Sequence, residues 1–266
     1  MPASARTPGR VIAETANNAA VFCLVHGSTQ GPGGWDFLSA QLRQRGHRVI
    51  TPGIPLDDAD ADAAACARSI IDALSEHPAG TIADVTVVAH SISGLFLPLV
   101  AGNARVAQLV YLAAAVPKPG SSFREQFDAT PDMYNPEWIA AGRRIASDDR
   151  EAIRFLYHDC SPAVIRRALA ERIEFRATRL WSERFALTAQ PAISTRYVVC
   201  SLDRTFTPAW MRRTARQTLG IAPLELSAGH CPYLSQPRQL AEMLIEESRT
   251  IVRQNVVRDP RDRSVG

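Results

Sequence analysis

Short runs of apolar residues alternate with amphipathic segments along most of the chain. Many of the runs are rich in β-branched residues, as is typical of strands that are buried on both faces. This alternation of strands and helices predicts an α/β fold with a doubly wound, mainly parallel sheet. The predicted strands are residues 20–27, 47–53, 84–90, 106–115, 195–201 and 223–228, and the predicted helices are 35–46, 60–78, 92–102 and 235–254.

One long segment, residues 117–191, interrupts the alternation. It has helical patterns but no strand signal, and it is too long for a plain loop in a compact domain. We therefore predict a helical cap, inserted into a core of residues 20–116 and 192–253. Residues 1–19 and 254–266 are predicted to be terminal tails. The aromatic residues of the cap would either form its own core, which is the more common arrangement, or line a pocket; they are Phe123, Phe127, Tyr134, Trp138, Phe155, Tyr157 and Trp181.

Composition narrows the class of protein. The chain has 266 residues, of which 46% are hydrophobic and 21% charged, as expected for a soluble globular protein. The net charge of +3 and the lack of a basic run interleaved with aromatics argue against a nucleic-acid partner. No apolar stretch has the length of about 20 residues that a membrane span needs. The five cysteines are odd in number and lack metal-ligand spacing, so we expect a reduced, cytoplasmic protein.

The stretch "VVAHSISGLFLP" places Ser91 where a buried strand turns into a helix. A serine at such a turn is pushed out of the sheet, and the helix N-terminus offers backbone N–H groups to a developing negative charge. Ala89 and Ser93 stand where the G-x-S-x-G pattern has glycines, and Gly94 follows. We predict that Ser91 is a nucleophile; the alternative is that it only caps the helix.

A glycine-rich loop, "HGSTQGPGGW", follows the first strand. Glycines allow backbone amides to approach a ligand closely. The amides of Ser28 and Ile92 would together form an oxyanion hole. The alternative is a tight strand-to-helix turn that binds no ligand.

Two further polar residues follow the last two predicted strands. Asp203 comes just after the fifth strand and His230 just after the sixth. Neighbouring parallel strands end at one edge of the sheet, so the chain order Ser, Asp, His predicts a catalytic triad with Ser91. His230 would take the serine proton, and Asp203 would fix the imidazole tautomer and stabilise the imidazolium.

The other histidines receive lesser roles. His90 is expected to pack or hydrogen-bond beneath the turn, and His26 to order the glycine-rich loop. His47, His77 and His158 lie in loop or cap contexts and are given no catalytic role.

The whole set of motifs resembles the α/β-hydrolase superfamily. Within it, the chain is similar to the compact branch that contains plant methylesterases, hydroxynitrile lyases and bacterial homologues. The resemblance runs from about residue 20 to 253. It rests on "VHGSTQGPGGW", "AHSISGLFLPLVA", "YLAAAVPKPG", "FLYHDCSP", "SLDRTFTP" and "GHCPYLSQP".

The resemblance implies the triad Ser91, Asp203 and His230, with the oxyanion hole described above, and neither a metal nor an organic cofactor. Two positions depart from the plant lyases, which carry a threonine after the loop histidine and a lysine after the catalytic histidine. Here those positions are Gly27 and Cys231. The missing lysine argues against cyanohydrin cleavage, because its charge would stabilise the released cyanide.

We therefore expect a serine hydrolase that cleaves a carboxylic ester of a small, partly apolar molecule through an acyl-enzyme. A lyase, cyclase, thioesterase or carbon–carbon hydrolase on the same site is the alternative, and a small-molecule receptor a remote one. The expected partner is the substrate alone, with neither nucleic acid nor membrane, and a homodimer is left open. The pocket candidates are Gly27, Trp138, Tyr157, Trp181 and Cys231.

Overall fold

The computed structural model describes residues 19–76, 85–103, 105–142 and 144–258, with side chains up to residue 250. His77 and most of the two predicted tails lie outside these ranges. Within them, no helix combines the length and apolar character that crossing a membrane requires.

Six parallel strands form one sheet in the order β2-β1-β3-β4-β5-β6, which confirms the predicted α/β class. Every residue of β1 and β3 is buried, because helices cover both faces of the sheet. The strands are Val21–Val25 (β1), Arg48–Ile50 (β2), Val85–His90 (β3), Val106–Leu112 (β4), Ser194–Cys200 (β5) and Leu224–Leu226 (β6).

The helices connect the strands and also fill the long segment between β4 and β5. They are Asp36–Gln44 (α1), Ala63–Ser75 (α2), Leu97–Val100 (α3), Phe123–Asp128 (α4), Pro136–Ala141 (α5), Arg144–Ser147 (α6), Asp149–Ala152 (α7), Pro162–Ala170 (α8), Arg179–Ser182 (α9), Pro208–Gln217 (α10), Pro232–Ser235 (α11) and Pro237–Arg258 (α12). Turns of 3-10 helix at Pro32–Trp35 and Ser91–Phe96 precede α1 and α3, and a π-helix at Ile153–Tyr157 follows α7.

The helix after β3 differs from its prediction. Instead of one helix over 92–102, a 3-10 segment leads into the short α3. Pro98 lies in the first turn of α3. Backbone N–H groups there have no hydrogen-bond partner within the helix, so the missing N–H of proline costs no hydrogen bond.

The helix α10 was not predicted at all. It buries Trp210 and Met211 and supplies the crossover between the parallel strands β5 and β6. The last helix, α12, ends at Arg258, four residues beyond the predicted helix end at residue 254.

The segment 117–191 contributes helices α4 to α9 and no strand to the sheet among its described residues. We call it the insertion. Isolated antiparallel bridges, Gln30 with Arg172 and Tyr134 with Phe206, join it to loops at the carboxyl ends of the strands. The insertion therefore contacts the sheet edge at which the predicted site residues lie. That it forms a separate cap domain stays a prediction.

Candidate active site

Ser91 lies at the tip of a sharp turn between β3 and the 3-10 helix. Its φ of +57° is in the left-handed region, which side chains other than glycine seldom adopt. The backbone is held there because the Ser91 carbonyl accepts a hydrogen bond from the amide of Ala115 at 3.0 Å. Such a turn is the strained geometry that the motif predicts for a nucleophile.

Small residues around the turn are required by close packing. A Cβ atom on Gly94 would overlap the carbonyl oxygen of Ala115. A Cβ atom on Gly27 would lie 2.8 Å from Nδ1 of His90 and 3.0 Å from Cβ of Ser91. Gly27, a predicted pocket residue, is thus packed against the turn.

Ser93 replaces a usual glycine and makes a contact that glycine lacks. Its hydroxyl is fully buried and donates a hydrogen bond to the carbonyl of His26 at 2.5 Å. The turn after β3 is therefore tied directly to the loop after β1.

The three predicted triad residues come together at the sheet edge. Nε2 of His230 lies 3.0 Å from Oγ of Ser91, and Nδ1 lies 2.8 Å from Oδ2 of Asp203. The other carboxylate oxygen of Asp203 accepts from the amide of Thr205 at 2.6 Å. A carboxylate accepts only, so Nδ1 carries the proton and Nε2 is free to accept from the serine hydroxyl. The side chains of Asp203 and His230 are 0% and 3% exposed, which strengthens these interactions.

His26 orders the glycine-rich loop in the way the sequence suggested. Its Nε2 accepts from the amide of Ile54 at 3.1 Å, so Nδ1 is the protonated atom and bonds the carbonyl of Gly27 at 3.0 Å. Burial lowers the pKa of His26, in keeping with this neutral form. In the part of the chain that the structure describes, no group accepts a hydrogen bond from the amide of Ser28.

A series of packed aromatic rings extends from the insertion to the imidazole of His230. Trp138, a pocket candidate, stacks on Tyr134 with centroids 4.6 Å apart, and Tyr134 packs on Phe206 at 4.6 Å. The ring of Phe206 lies 5.9 Å from that of His230. Phe206 was not singled out from the sequence as a neighbour of His230; its place shortly after Asp203 was the available signal.

The remaining pocket candidates lie in different surroundings. Tyr157 and Cys231 are fully buried. The sulfur of Cys231 accepts from the hydroxyl of Tyr233 at 3.6 Å, and burial raises the thiol pKa well above its usual value, which argues against a second nucleophile. Trp181 packs against Phe123 and Phe127 of the insertion.

The comparison with protein families gives a direct match. The model described as "Alpha/beta hydrolase family" matches residues 24–243. The chain belongs to this family. The match runs from β1 into α12, so it includes Ser91, Asp203 and His230.

Two curated relatives are similar in sequence. Norfluorocurarine synthase 2 of Strychnos nux-vomica is 23% identical over 262 residues, covering 87% of this chain and 96% of its own length. The carbendazim hydrolyzing esterase of Nocardioides sp. (strain SG-4G) is 32% identical over 136 residues, covering 48% of this chain and 55% of the esterase.

Solved structures of family members share the fold. Polyneuridine aldehyde esterase superposes with a TM-score of 0.72 at 17% identity, covering 86% of this chain and 99% of that one. A pyrethroid hydrolase from Sphingobium faniae JZ-2 superposes with a TM-score of 0.65 at 20% identity, covering 87% and 98%. A methylesterase from Arabidopsis is also similar, at a TM-score of 0.66 and 18% identity. These likenesses show that the chain shares the fold of these enzymes.

Proposed function

We propose that the protein is a serine hydrolase that cleaves a carboxylic ester of a small, partly apolar molecule through an acyl-enzyme. The observation that carries this proposal is the chain of contacts from Ser91 through His230 to Asp203, at 3.0 Å and 2.8 Å. Both distances are within hydrogen-bond reach, as base-assisted attack by a hydroxyl requires.

In the proposed mechanism the Ser91 hydroxyl attacks the ester carbonyl carbon while Nε2 of His230 takes its proton. Asp203 keeps the imidazole in the reactive tautomer and stabilises the imidazolium that forms. The protonated His230 then donates to the departing alkoxide oxygen, which leaves Ser91 acylated. In the second half, His230 takes a proton from water as the water oxygen attacks the acyl carbon. The imidazolium then returns that proton to Oγ of Ser91 as the bond to the acyl carbon breaks, which frees the serine hydroxyl and releases the carboxylic acid.

The amides of Ser28 and Ile92 are proposed to bind the oxyanion. In support, the residue before Ser28 packs against Ser91, and the Ser93–His26 bond holds the loop beside the turn. Each such donor typically contributes about 3 kcal/mol to transition-state stabilisation.

The proposed preference for a partly apolar substrate rests on the aromatic rings packed near the base. The ring of Phe206 lies 5.9 Å from the imidazole of His230, and the rings of Tyr134 and Trp138 continue this apolar packing away from it. Two similar proteins are named as esterases, the carbendazim hydrolyzing esterase and polyneuridine aldehyde esterase, which is in keeping with this substrate class.

A short-chain aryl ester such as p-nitrophenyl acetate tests the proposal. The wild-type protein should turn it over, and Ser91→Ala should lose about a thousandfold or more in kcat. Ser182→Ala, at an exposed serine of α9, is the matched control and should keep wild-type rates. An organophosphonate should label Ser91, as seen by mass spectrometry of the peptide. Full turnover by folded Ser91→Ala would overturn the proposal.

A second candidate keeps the site and changes the reaction. The similarity to a protein named norfluorocurarine synthase 2 favours it, since that name denotes synthesis rather than hydrolysis. A lyase, cyclase, thioesterase or carbon–carbon hydrolase would still need the His230–Ser91 pair. Labelling of Ser91 together with inactivity on a broad ester panel would select this candidate, whereas an inert Ser91 would indicate a binding protein.

A further inference from the structure

Two adjacent residues of the insertion contact the loops that carry the acid and the base. Nε2 of His158 lies 3.1 Å from the carbonyl oxygen of Leu202, and Oδ2 of Asp159 accepts from the amide of Gly229 at 2.6 Å. Leu202 immediately precedes Asp203, and Gly229 immediately precedes His230. Two consecutive residues of the insertion are therefore hydrogen-bonded to the backbone segments that orient the proposed acid, Asp203, and the proposed base, His230.

The fit around Gly229 is close. A Cβ atom there would lie 2.6 Å from Oδ1 of Asp159 and 2.9 Å from Nε2 of His158. Both side chains thus close over the same glycine, and no larger residue fits without moving them. Because a carbonyl only accepts, Nε2 of His158 is the donor to Leu202.

The contacts made by His158 and Asp159 hold the backbone next to Asp203 and His230, and Asp203 remains the hydrogen-bond partner of the His230 imidazole. Nδ1 of His230 bonds Asp203, and Asp159 binds the backbone amide one residue earlier. The loop after Asp203 is held by the insertion as well, since Asn135 donates its amide to the carbonyl of Thr205 at 2.9 Å.

We propose that His158 and Asp159 are positioning residues that align Asp203 and His230 for proton transfer. The inference rests on the proposed function, because alignment matters only if these two residues act on Ser91. It gives the "FLYHDCSP" motif a physical role: the insertion holds the catalytic geometry in place. A misplacement of about 1 Å can cost up to a hundredfold in rate, so small shifts of these loops suffice.

The first test separates kcat from KM. Asp159→Ala and His158→Ala should each lower kcat about tenfold or more and change KM less than about threefold. Asp159→Asn and His158→Gln keep an acceptor and a donor, respectively, and should recover most of the lost rate. Asp149→Ala removes an exposed insertion carboxylate paired with Arg172 and is the matched control, expected at wild-type kcat. Tm and circular dichroism confirm that each variant is folded.

The second test uses the background His230→Ala. A residue that acts only by aligning His230 has nothing to align there, so adding Asp159→Ala should leave the residual rate unchanged within about twofold. A purely structural role would lower the residual rate by the same factor as in the wild type. An equal loss in both backgrounds would overturn the inference and leave the proposed function standing. A wild-type kcat for Asp159→Ala, with Ser91→Ala inactive, would do the same. Full activity of Ser91→Ala would remove the proposed function and the inference together.

Discussion

The side-chain amide of Gln30 donates a hydrogen bond to the hydroxyl of Tyr157 at 2.8 Å. The same nitrogen lies 2.9 Å from the carbonyl of Ala168 in α8, and Gln30 is 1% exposed. A single buried amide therefore joins the glycine-rich loop to two elements of the insertion, the π-helix and α8. The glycine-rich loop is thus held against the insertion at Gln30.

Replacing Gln30 by leucine should destabilise the protein by about 2 kcal/mol, because Tyr157 and Ala168 would keep buried groups without their donor. Urea unfolding monitored by tryptophan fluorescence measures this loss. Gln44→Leu, on the exposed side of α1, is the control and should shift the free energy of unfolding by less than about 0.5 kcal/mol.

The pair can also be tested for coupling. If the Gln30–Tyr157 bond is the source of the loss, Gln30→Leu in the background Tyr157→Phe should cost less than it does in the wild-type protein. Strict additivity of the two changes would show that the bond contributes little to stability.

The strain at Ser91 predicts an unusual order of stability. Glycine adopts a positive φ freely, whereas alanine pays about 1 kcal/mol for it, so Ser91→Gly should unfold at a higher urea concentration than Ser91→Ala. Both variants lack the hydroxyl and should be inactive. At Ser69, inside helix α2, the order should reverse, since glycine is there the poorer residue by about 1 kcal/mol. Equal stabilities at position 91 would mean that the turn carries no strain.

The fold and the proposed triad were accessible from the sequence because both depend on local signals. Buried parallel strands appear as apolar runs, and Ser91, Asp203 and His230 each lie within a few residues of the end of such a run. Strand ends that share a sheet edge must meet, so chain order and strand ends were enough to predict the contacts that the structure has.

Contacts across the insertion were not accessible in this way. Gln30 meets Tyr157 across more than a hundred residues, and Asp159 meets Gly229 across 70. Such contacts depend on how the insertion packs against the core. The periodic pattern of apolar residues within one helix does not reveal which distant segment the helix packs against. The π-helix at Ile153–Tyr157 is a further case, because its sequence is compatible with an ordinary α-helix.

The glycine next to the turn offers a test of close packing. Gly94→Ala should prevent stable folding or cost more than about 3 kcal/mol, because the added methyl group would overlap the carbonyl oxygen of Ala115. Gly102→Ala meets no atom within 4 Å and is the matched control, expected to fold normally. Soluble yield and Tm distinguish the two. A stable, active Gly94→Ala protein would show that the turn can move without losing its function.

His90 links the turn to the base and should make stability depend on pH. Its Nε2 donates to the carbonyl of His230 at 2.7 Å, and its ring packs 4.7 Å from that of His230. Burial, followed by the nearby His230, lowers the pKa of His90 well below the usual 6.5. The folded protein therefore keeps His90 neutral at a pH where the unfolded chain already protonates it.

The sign of the effect follows from proton linkage. Between the lowered pKa and about 6.5 the unfolded state binds more protons, so the free energy of unfolding should fall as the pH drops below about 6.5. His90→Gln keeps a donor for the His230 carbonyl but cannot titrate, so its stability should fall less steeply from pH 6.5 to 5. Urea unfolding at several pH values measures both slopes. His47→Gln is the control and should flatten the slope less, because the pKa of His47 is lowered but not as far. Identical slopes for the wild type and His90→Gln would mean that another group causes any loss of stability in acid.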